Sequence, residues 1–535
     1  MYKLDFARRM SLLAFAAVFS VFTATAAVAS PCEDLAKASF PDAKITATTV
    51  VAADKTIGLP GIPFTITAPK TFCRVQVTLT PTADSAILAE VWLPDADAWN
   101  EKFLGSGNGG FGGSVAGPML DMRMALSHGY ATAGDDLGHE TPFPKIDASW
   151  AIGHPEKLID FAYRADHVTA VFAKAIIAAY YGRAPKLSYF RGCSNGGHEA
   201  MMEAIRYPED YDGIIAGAPA NSWTHLMADF VWNERALSKT PQSRIPDTKL
   251  ALVQNAVLAK CDEKDGVKDG IINDPLTCHF DPRPLLCKSG NGPNCLSRAE
   301  FDALASIYKG PIDPKTHESI YPGFPPGGEG LPKNWTSWIT GPDAAQAQFA
   351  NQFFGSAVKG DPNWDFRTFD FHSDVALADK TVGPVINSNN PDLSAFEAHG
   401  GKLILFQGWD DAAVTALGTI QYYRAVEAKM GLAKTQNFAR LFLAPGMMHC
   451  GDGPGPNNLD CITALEQWRE GGIAPEKVAA AHYDNMLAVL AGMQAANPTA
   501  TRPICAYPAV AHWTGTGSAD DAANYVCQAP ATAHK

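Results

Sequence analysis

The stretch Tyr189-Phe190-Arg191-Gly192-Cys193-Ser194-Asn195-Gly196-Gly197 constrains the fold of this chain more than any other. Its centre is G-x-S-x-G, a pattern that on its own is common in glycine-rich loops. A β-prone run at 187–190 leads into it, and a helix-prone run at 198–205 leads out. Strand, sharp turn and helix in that order make a nucleophile elbow, where a serine stands on a strained turn between small neighbours. Ser194 is therefore the candidate nucleophile. The plainer alternative is a β-to-α turn with an idle serine.

An elbow of this kind needs a parallel sheet around it. Residues 32–100 read mainly as strand, at 45–52, 64–68, 72–79 and 87–93, with turn residues between. Short strands at 130–134 and 213–218 flank an amphipathic helix at 160–180. Strands alternating with helices imply an α/β architecture. From 221 to 379 the texture changes, as periodicity weakens while Pro, Gly, Trp and Cys become frequent. A long irregular insertion in such a chain is usually functional, often a lid. Regular texture returns with a strand at 402–406, a helix at 417–429, a strand at 440–443 and a helix at 459–470. The expected organisation is a discontinuous α/β domain, 30–220 and 380–535, with a lid domain at 221–379.

The first 29 residues read as a secretory signal peptide. Lys3, Arg8 and Arg9 precede an apolar run at 12–28, and Ala27-Val28-Ala29 fits a cleavage site. No later stretch reaches 18 apolar residues, so an exported protein without a membrane anchor is expected. The formal net charge is −13, with no basic stripe, which argues against nucleic acid as a partner. Eleven cysteines in an oxidising compartment should mostly pair, and the odd number leaves one over.

Two strand ends after Ser194 carry the rest of a catalytic set. The strand at 403–406 runs into Gln407-Gly408-Trp409-Asp410-Asp411, and that at 441–443 into Ala444-Pro445-Gly446-Met447-Met448-His449-Cys450. An acid and a histidine then follow the serine in the order of an α/β-hydrolase triad, at the carboxyl edge where such sheets build sites. Spacing leaves Asp410 and Asp411 unseparated. The glycine run at 105–113 follows another strand. It is either a plain flexible loop or a source of bare backbone N–H groups for an oxyanion. It lacks the G-K-[ST] of a phosphate loop. Asp262, Asp265 and Asp269 share one glycine-bearing loop, whose oxygen ligands suit Ca²⁺. It is not an EF-hand, since Asn273 stands twelfth, and on composition alone it reads as a solvated acidic loop.

Together these residues resemble the tannase and feruloyl esterase family, which includes mono(2-hydroxyethyl) terephthalate hydrolases, over essentially the whole mature chain. The likeness is carried by Gly192-Cys193-Ser194-x-Gly196-Gly197, the 105–113 and 261–272 loops, and Pro445-Gly446-x-x-His449-Cys450. A cysteine directly before the nucleophile and another directly after the histidine is the most specific feature. The resemblance implies an α/β-hydrolase fold with a large inserted lid, and a serine esterase that cleaves feruloyl, galloyl or related aromatic esters through an acyl-enzyme. It implies Asp411 as the acid, and backbone N–H groups of Asn195 and of Gly110, in preference to Gly109, as oxyanion donors. It further implies a structural Ca²⁺ in the lid, held by side chains of Asp262, Asp265 and Asp269 and carbonyls of Val267 and Ile271. The implied disulfides are Cys32–Cys73, Cys193–Cys450, Cys261–Cys278, Cys287–Cys295 and Cys505–Cys527, leaving Cys461 unpaired.

One departure is Gln407, where family members often carry His. No arginine can be assigned to grip a terephthalate carboxylate, and both points weigh against a terephthalate monoester as the substrate. Rival readings are a serine peptidase or acyltransferase on the same triad, and a calcium-dependent binding module on a hydrolase scaffold. The binding module would have lost a triad member, and none is missing.

Overall fold

The computed structural model describes residues 31–529 except Phe143, so the leader expected at 1–29 lies outside the described residues. Nine strands form the central sheet: β1 (Ala43–Val51), β2 (Phe72–Leu79), β3 (Ile87–Pro94), β4 (Lys102–Ser106), β5 (Ala131–Asp135), β6 (Leu187–Cys193), β7 (Gly213–Gly217), β8 (Lys402–Gly408) and β9 (Ala439–Ala444). Their order is β1-β2-β3-β5-β4-β6-β7-β8-β9. The last six in that order run parallel, with pairs such as Leu104 with Tyr189, Phe190 with Ile214 and Leu405 with Leu441. The first three are antiparallel to their neighbours. This is the mixed sheet of an α/β hydrolase.

Strands buried on both faces should be apolar throughout, and β8, Leu403-Ile404-Leu405-Phe406, is. Alternate residues feed two cores. Phe190 and Leu405 pack with Phe172, Ile176 and Ile177 of helix α1 (Ala165–Tyr181). Tyr189, Ile404 and Phe406 pack on the other face with Ile462, Leu465 and Trp468. The helix expected at 160–180 is interrupted, since a π-turn at Asp160–Arg164 joins α1 to a short helix at Pro155–Ile159. The run at 64–68 is strand only at Thr65–Thr67 and pairs with Thr56–Gly58 outside the main sheet.

The segment between β7 and β8 is less irregular than its sequence suggests. It holds helices at Trp223–Leu237, Asp247–Cys261, Arg298–Lys309, Ala345–Gln352 and Ser373–Thr381. The helix Trp223–Leu237 buries ten of its fifteen residues, so it lacks the one-sided stripe that gives a helical period. Leu250, Val257, Leu304 and Trp335 form a separate core within the segment. Beyond β9 the tail folds back. Tyr507 donates its backbone N–H to Leu441 O at 2.8 Å, and Phe442 bridges Ala506, so the tail runs along the outer edge of β9.

Candidate active site

The elbow is built as its glycines require. Ser194 lies between β6 and helix α2 (Asn195–Arg206) with φ 67° and ψ −119°, a conformation few L-residues adopt. Its N–H donates to Gly217 O at 2.9 Å, pinning the turn to the next strand. A Cβ on Gly192 would stand 2.3 Å from Gly196 O, and one on Gly197 would stand 2.3 Å from Gly217 O. Only hydrogen fits at either position.

Asp411 and His449 meet across two adjacent strand ends. His449 Nδ1 lies 2.8 Å from Asp411 Oδ2, with Asp411 fully buried. The other oxygen, Oδ1, accepts the N–H groups of Ala413 at 2.7 Å and Val414 at 2.9 Å. Geometry separates the two aspartates that spacing left together. Asp410 lies under the 327–328 turn with Glu329 nearby, and burial pushes its carboxyl up to about 8. Gln407, flagged only as a departure from the family pattern, donates Nε2 to Asp411 Oδ2 at 2.8 Å and accepts the Thr419 hydroxyl at 2.9 Å.

Ser194 and His449 line one cavity of about 350 Å³, together with Gly109, Gly110, Asn195, Cys193 and Cys450. Its other walls are hydrocarbon, from Trp223, Leu226, Met227 and Phe230 on one helix and from Trp338 and Phe349. The rings of Trp338 and Phe349 lie nearly parallel, 6.4 Å apart, and Trp338 stands edge-on to His449 at 5.1 Å. Gly110 takes φ +61°, and a Cβ there would stand 3.3 Å from the Phe349 ring. The sequence marked the insertion as rich in Trp, and nothing in it pointed to Trp338, Leu226, Met227 or Phe230 as walls.

Five disulfides join Cys32–Cys73, Cys193–Cys450, Cys261–Cys278, Cys287–Cys295 and Cys505–Cys527, the pairing the resemblance implies. Cys193–Cys450 links the residues flanking Ser194 and His449 across 257 positions of sequence. Cys461 is free and buried, and burial pushes its thiol up to about 12.

In the acidic loop the carboxylate of Asp262 accepts the N–H groups of Asp269 and Gly270. Asp265 Oδ1 accepts from Val267 at 3.1 Å, and Asp269 Oδ1 from Ile271 at 3.1 Å. Asp265 Oδ2 is buried without a hydrogen-bond partner. Asp269 Oδ2 is met by Arg502 Nη2 at 2.6 Å, a partner that nothing in the sequence signals. Among the described residues no group of three or more His, Cys, Asp or Glu forms a ready-made metal cluster.

A family model described as tannase and feruloyl esterase matches residues 73–528. An uncharacterized esterase of Xanthomonas campestris pv. campestris is 39% identical, over 97% of this chain and 94% of that protein. The mono(2-hydroxyethyl) terephthalate hydrolase of Piscinibacter sakaiensis is 32% identical, over 81% of this chain and 80% of its own length. The crystal structure of feruloyl esterase B from Aspergillus oryzae superposes with a TM-score of 0.83 at 29% identity, covering 93% of this chain and 99% of that one. The chain belongs to the tannase and feruloyl esterase family of carboxylic ester hydrolases.

Proposed function

We propose that this chain is an exported serine esterase for esters of aromatic acids, feruloyl esters foremost. The observation that carries the reading is the Asp411–His449 pair, its carboxylate buried, opening with Ser194 onto a cavity walled by Trp and Phe. Ser194 Oγ attacks the ester carbonyl while His449 Nε2 takes the hydroxyl proton. Asp411 holds the Nδ1 hydrogen and so fixes the imidazole tautomer. The N–H groups of Gly110 and Asn195 receive the oxyanion. His449 returns the proton to the departing alcohol, and water, deprotonated by the same imidazole, then releases the acid from Ser194.

A terephthalate monoester carries a free carboxylate, and neither Arg nor Lys is among the described residues lining the cavity. A buried carboxylate without a partner is costly, so a neutral aromatic acyl group suits these walls better. Export is supported by the disulfides, which persist in oxidising compartments, and by the leader-like first 29 residues. Among the described residues no helix is long and apolar enough to cross a membrane.

Side chains of Asp262, Asp265 and Asp269, with carbonyls of Val267 and Ile271, would hold a Ca²⁺. The fit rests on the hard-oxygen donor set and the orphaned Asp265 Oδ2. Bound there, the ion would cross-link the loop and take no part in the chemistry.

The test is release of acid from methyl ferulate, methyl gallate, mono(2-hydroxyethyl) terephthalate, p-nitrophenyl acetate and a matched anilide, by wild type and Ser194→Ala. The reading expects methyl ferulate to be the best of the carboxylic esters and the anilide to be inert, with turnover abolished in Ser194→Ala. Cleavage of the anilide at a comparable rate, or an active Ser194→Ala, would overturn it.

A further inference from the structure

We propose that Glu199 is the positioning residue of the oxyanion hole: its buried carboxylate joins the glycine loop to the elbow helix and sets the spacing between the two N–H donors. The inference rests on the serine-esterase reading above. Glu199 lies on α2, five residues after Ser194, with no solvent exposure. Its Oε2 accepts the backbone N–H of Asn108 at 2.9 Å, and its Oε1 accepts Asn195 Nδ2 at 2.7 Å. Asn108 stands two residues before Gly110, and Asn195 carries the other donor on its own backbone. One carboxylate therefore holds both arms of the hole.

The surrounding contacts leave the bracket no slack. Asn108 Nδ2 donates to Asp135 O at 2.8 Å and to Ser114 O at 2.9 Å, and its Oδ1 accepts the Gly109 N–H at 2.8 Å. A Cβ on Gly107 would stand 2.7 Å from Gly196 Cα and 2.8 Å from Glu199 Oε2, so loop and elbow touch backbone to backbone. A negative charge behind the hole disfavours an oxyanion, so what Glu199 supplies is placement.

A second acid fixes the protonation. The carboxyl of Asp166, on α1, lies against that of Glu199, and two buried carboxyl groups so placed repel one another unless a proton is held between them. Burial raises both well above the ordinary range, and the buried carboxyls of Asp135 and Glu203 lie close by. Glu199 already accepts two N–H donors, so within the pair the proton is placed on Asp166.

That assignment makes two isosteric variants behave differently. Glu199→Gln turns an acceptor oxygen into NH₂, which either faces the Asn108 donor or forces the Asn195 amide to turn over and accept through Oδ1. Asp166→Asn keeps a donor toward Glu199. On methyl ferulate, Glu199→Gln should lower kcat by about thirtyfold with KM within about twofold. Its affinity for an arylboronic acid, which forms a tetrahedral adduct on serine, should fall in proportion. Asp166→Asn should keep kcat within about threefold. Asn195→Ala, which removes only the second bridge, should lower kcat by about tenfold with the same split, and it serves if Glu199→Gln fails to fold.

Circular dichroism and melting curves accompany each variant, and Ser194→Ala is run alongside. Unchanged kcat and boronate affinity in Glu199→Gln, wild-type kinetics in Asn195→Ala, or Asp166→Asn as damaged as Glu199→Gln would each overturn the proposal. An inactive Ser194→Ala beside a fully active Glu199→Gln rejects the positioning role alone. An active Ser194→Ala rejects both readings.

Discussion

Gln407 Nε2 donates at 2.8 Å to Asp411 Oδ2, the carboxylate oxygen that also lies 2.8 Å from His449 Nδ1. Asp411 thus has four partners on two oxygens: two backbone amides, one side-chain amide and the imidazole. Such a set fixes the plane of the carboxylate and, through it, the orientation of the ring. The imidazole edge that faces the cavity is then decided by contacts behind it.

Ser194→Ala and His449→Ala should each lower kcat by about four orders of magnitude or more, and the double variant should lose little beyond either alone, because the groups act as a unit. Asp411→Asn should cost about a thousandfold or more by admitting the wrong tautomer, against a few-fold for Asp410→Asn. Gln407→Ala should fall between them, near tenfold in kcat. Steady-state kinetics on one aromatic ester ranks all six. A larger loss in Asp410→Asn than in Asp411→Asn would mean that the acid has been misplaced.

Asp410 gives a pH prediction. Burial, with Glu329 beside it, lifts its carboxyl to about 8 from an ordinary 3.8. The folded protein holds this proton more tightly than the unfolded chain does. The contribution to stability is therefore intact below about pH 4, is lost progressively as pH rises, and is gone by about pH 8. Asp410→Asn cannot ionise, so its melting temperature relative to wild type should climb between pH 5 and pH 8 and level off above. A gap that stays flat over that window would show that Asp410 keeps an ordinary pKa.

The Cys193–Cys450 bridge closes a loop of 257 residues, worth roughly 5 kcal/mol in a chain-entropy estimate, with strain reducing the figure. Its effect on rate should exceed its effect on the fold, since a shift of about 1 Å in the base can cost about a hundredfold. Cys193→Ala/Cys450→Ala should retain its circular dichroism and lose at least about tenfold in kcat/KM on an aromatic ester. Wild-type kinetics in that variant would show the bridge to be idle.

Chelation should lower the melting temperature of the intact protein while leaving turnover of a small ester much less affected, as long as the protein stays folded. Added Ca²⁺ should restore the melting temperature. Elemental analysis that finds no calcium in protein purified without chelator would remove the ion from this account.

Much of the site was legible because its chemistry is local. The elbow is one contiguous run, and the acid and histidine lie just beyond strands whose apolar letters are unbroken. Geometry was needed wherever two distant segments meet. Nothing in the spacing could tell Asp410 from Asp411, since the difference is which carboxylate receives the amides of Ala413 and Val414. Glu199 reads in sequence as one polar residue of a helix, and its role appears only when Asn108, 91 positions away, is brought against it. The helix Trp223–Leu237 was hidden for the opposite reason: it is buried on several sides, and a helix without a wet face has no period to read.

The tail against β9 bears on how this protein stays dispersed. β9 is the last strand of the sheet, and an unpaired outer strand is a ready template for another copy of the chain. The Tyr507 N–H and the Phe442–Ala506 bridge occupy part of that border, and Cys505–Cys527 anchors the segment that supplies them. The strand being shielded is also the one that delivers His449. A chain cut before Ala500 would thus bare a sticky border and unsettle His449 in one stroke, so that self-association and loss of turnover would set in together.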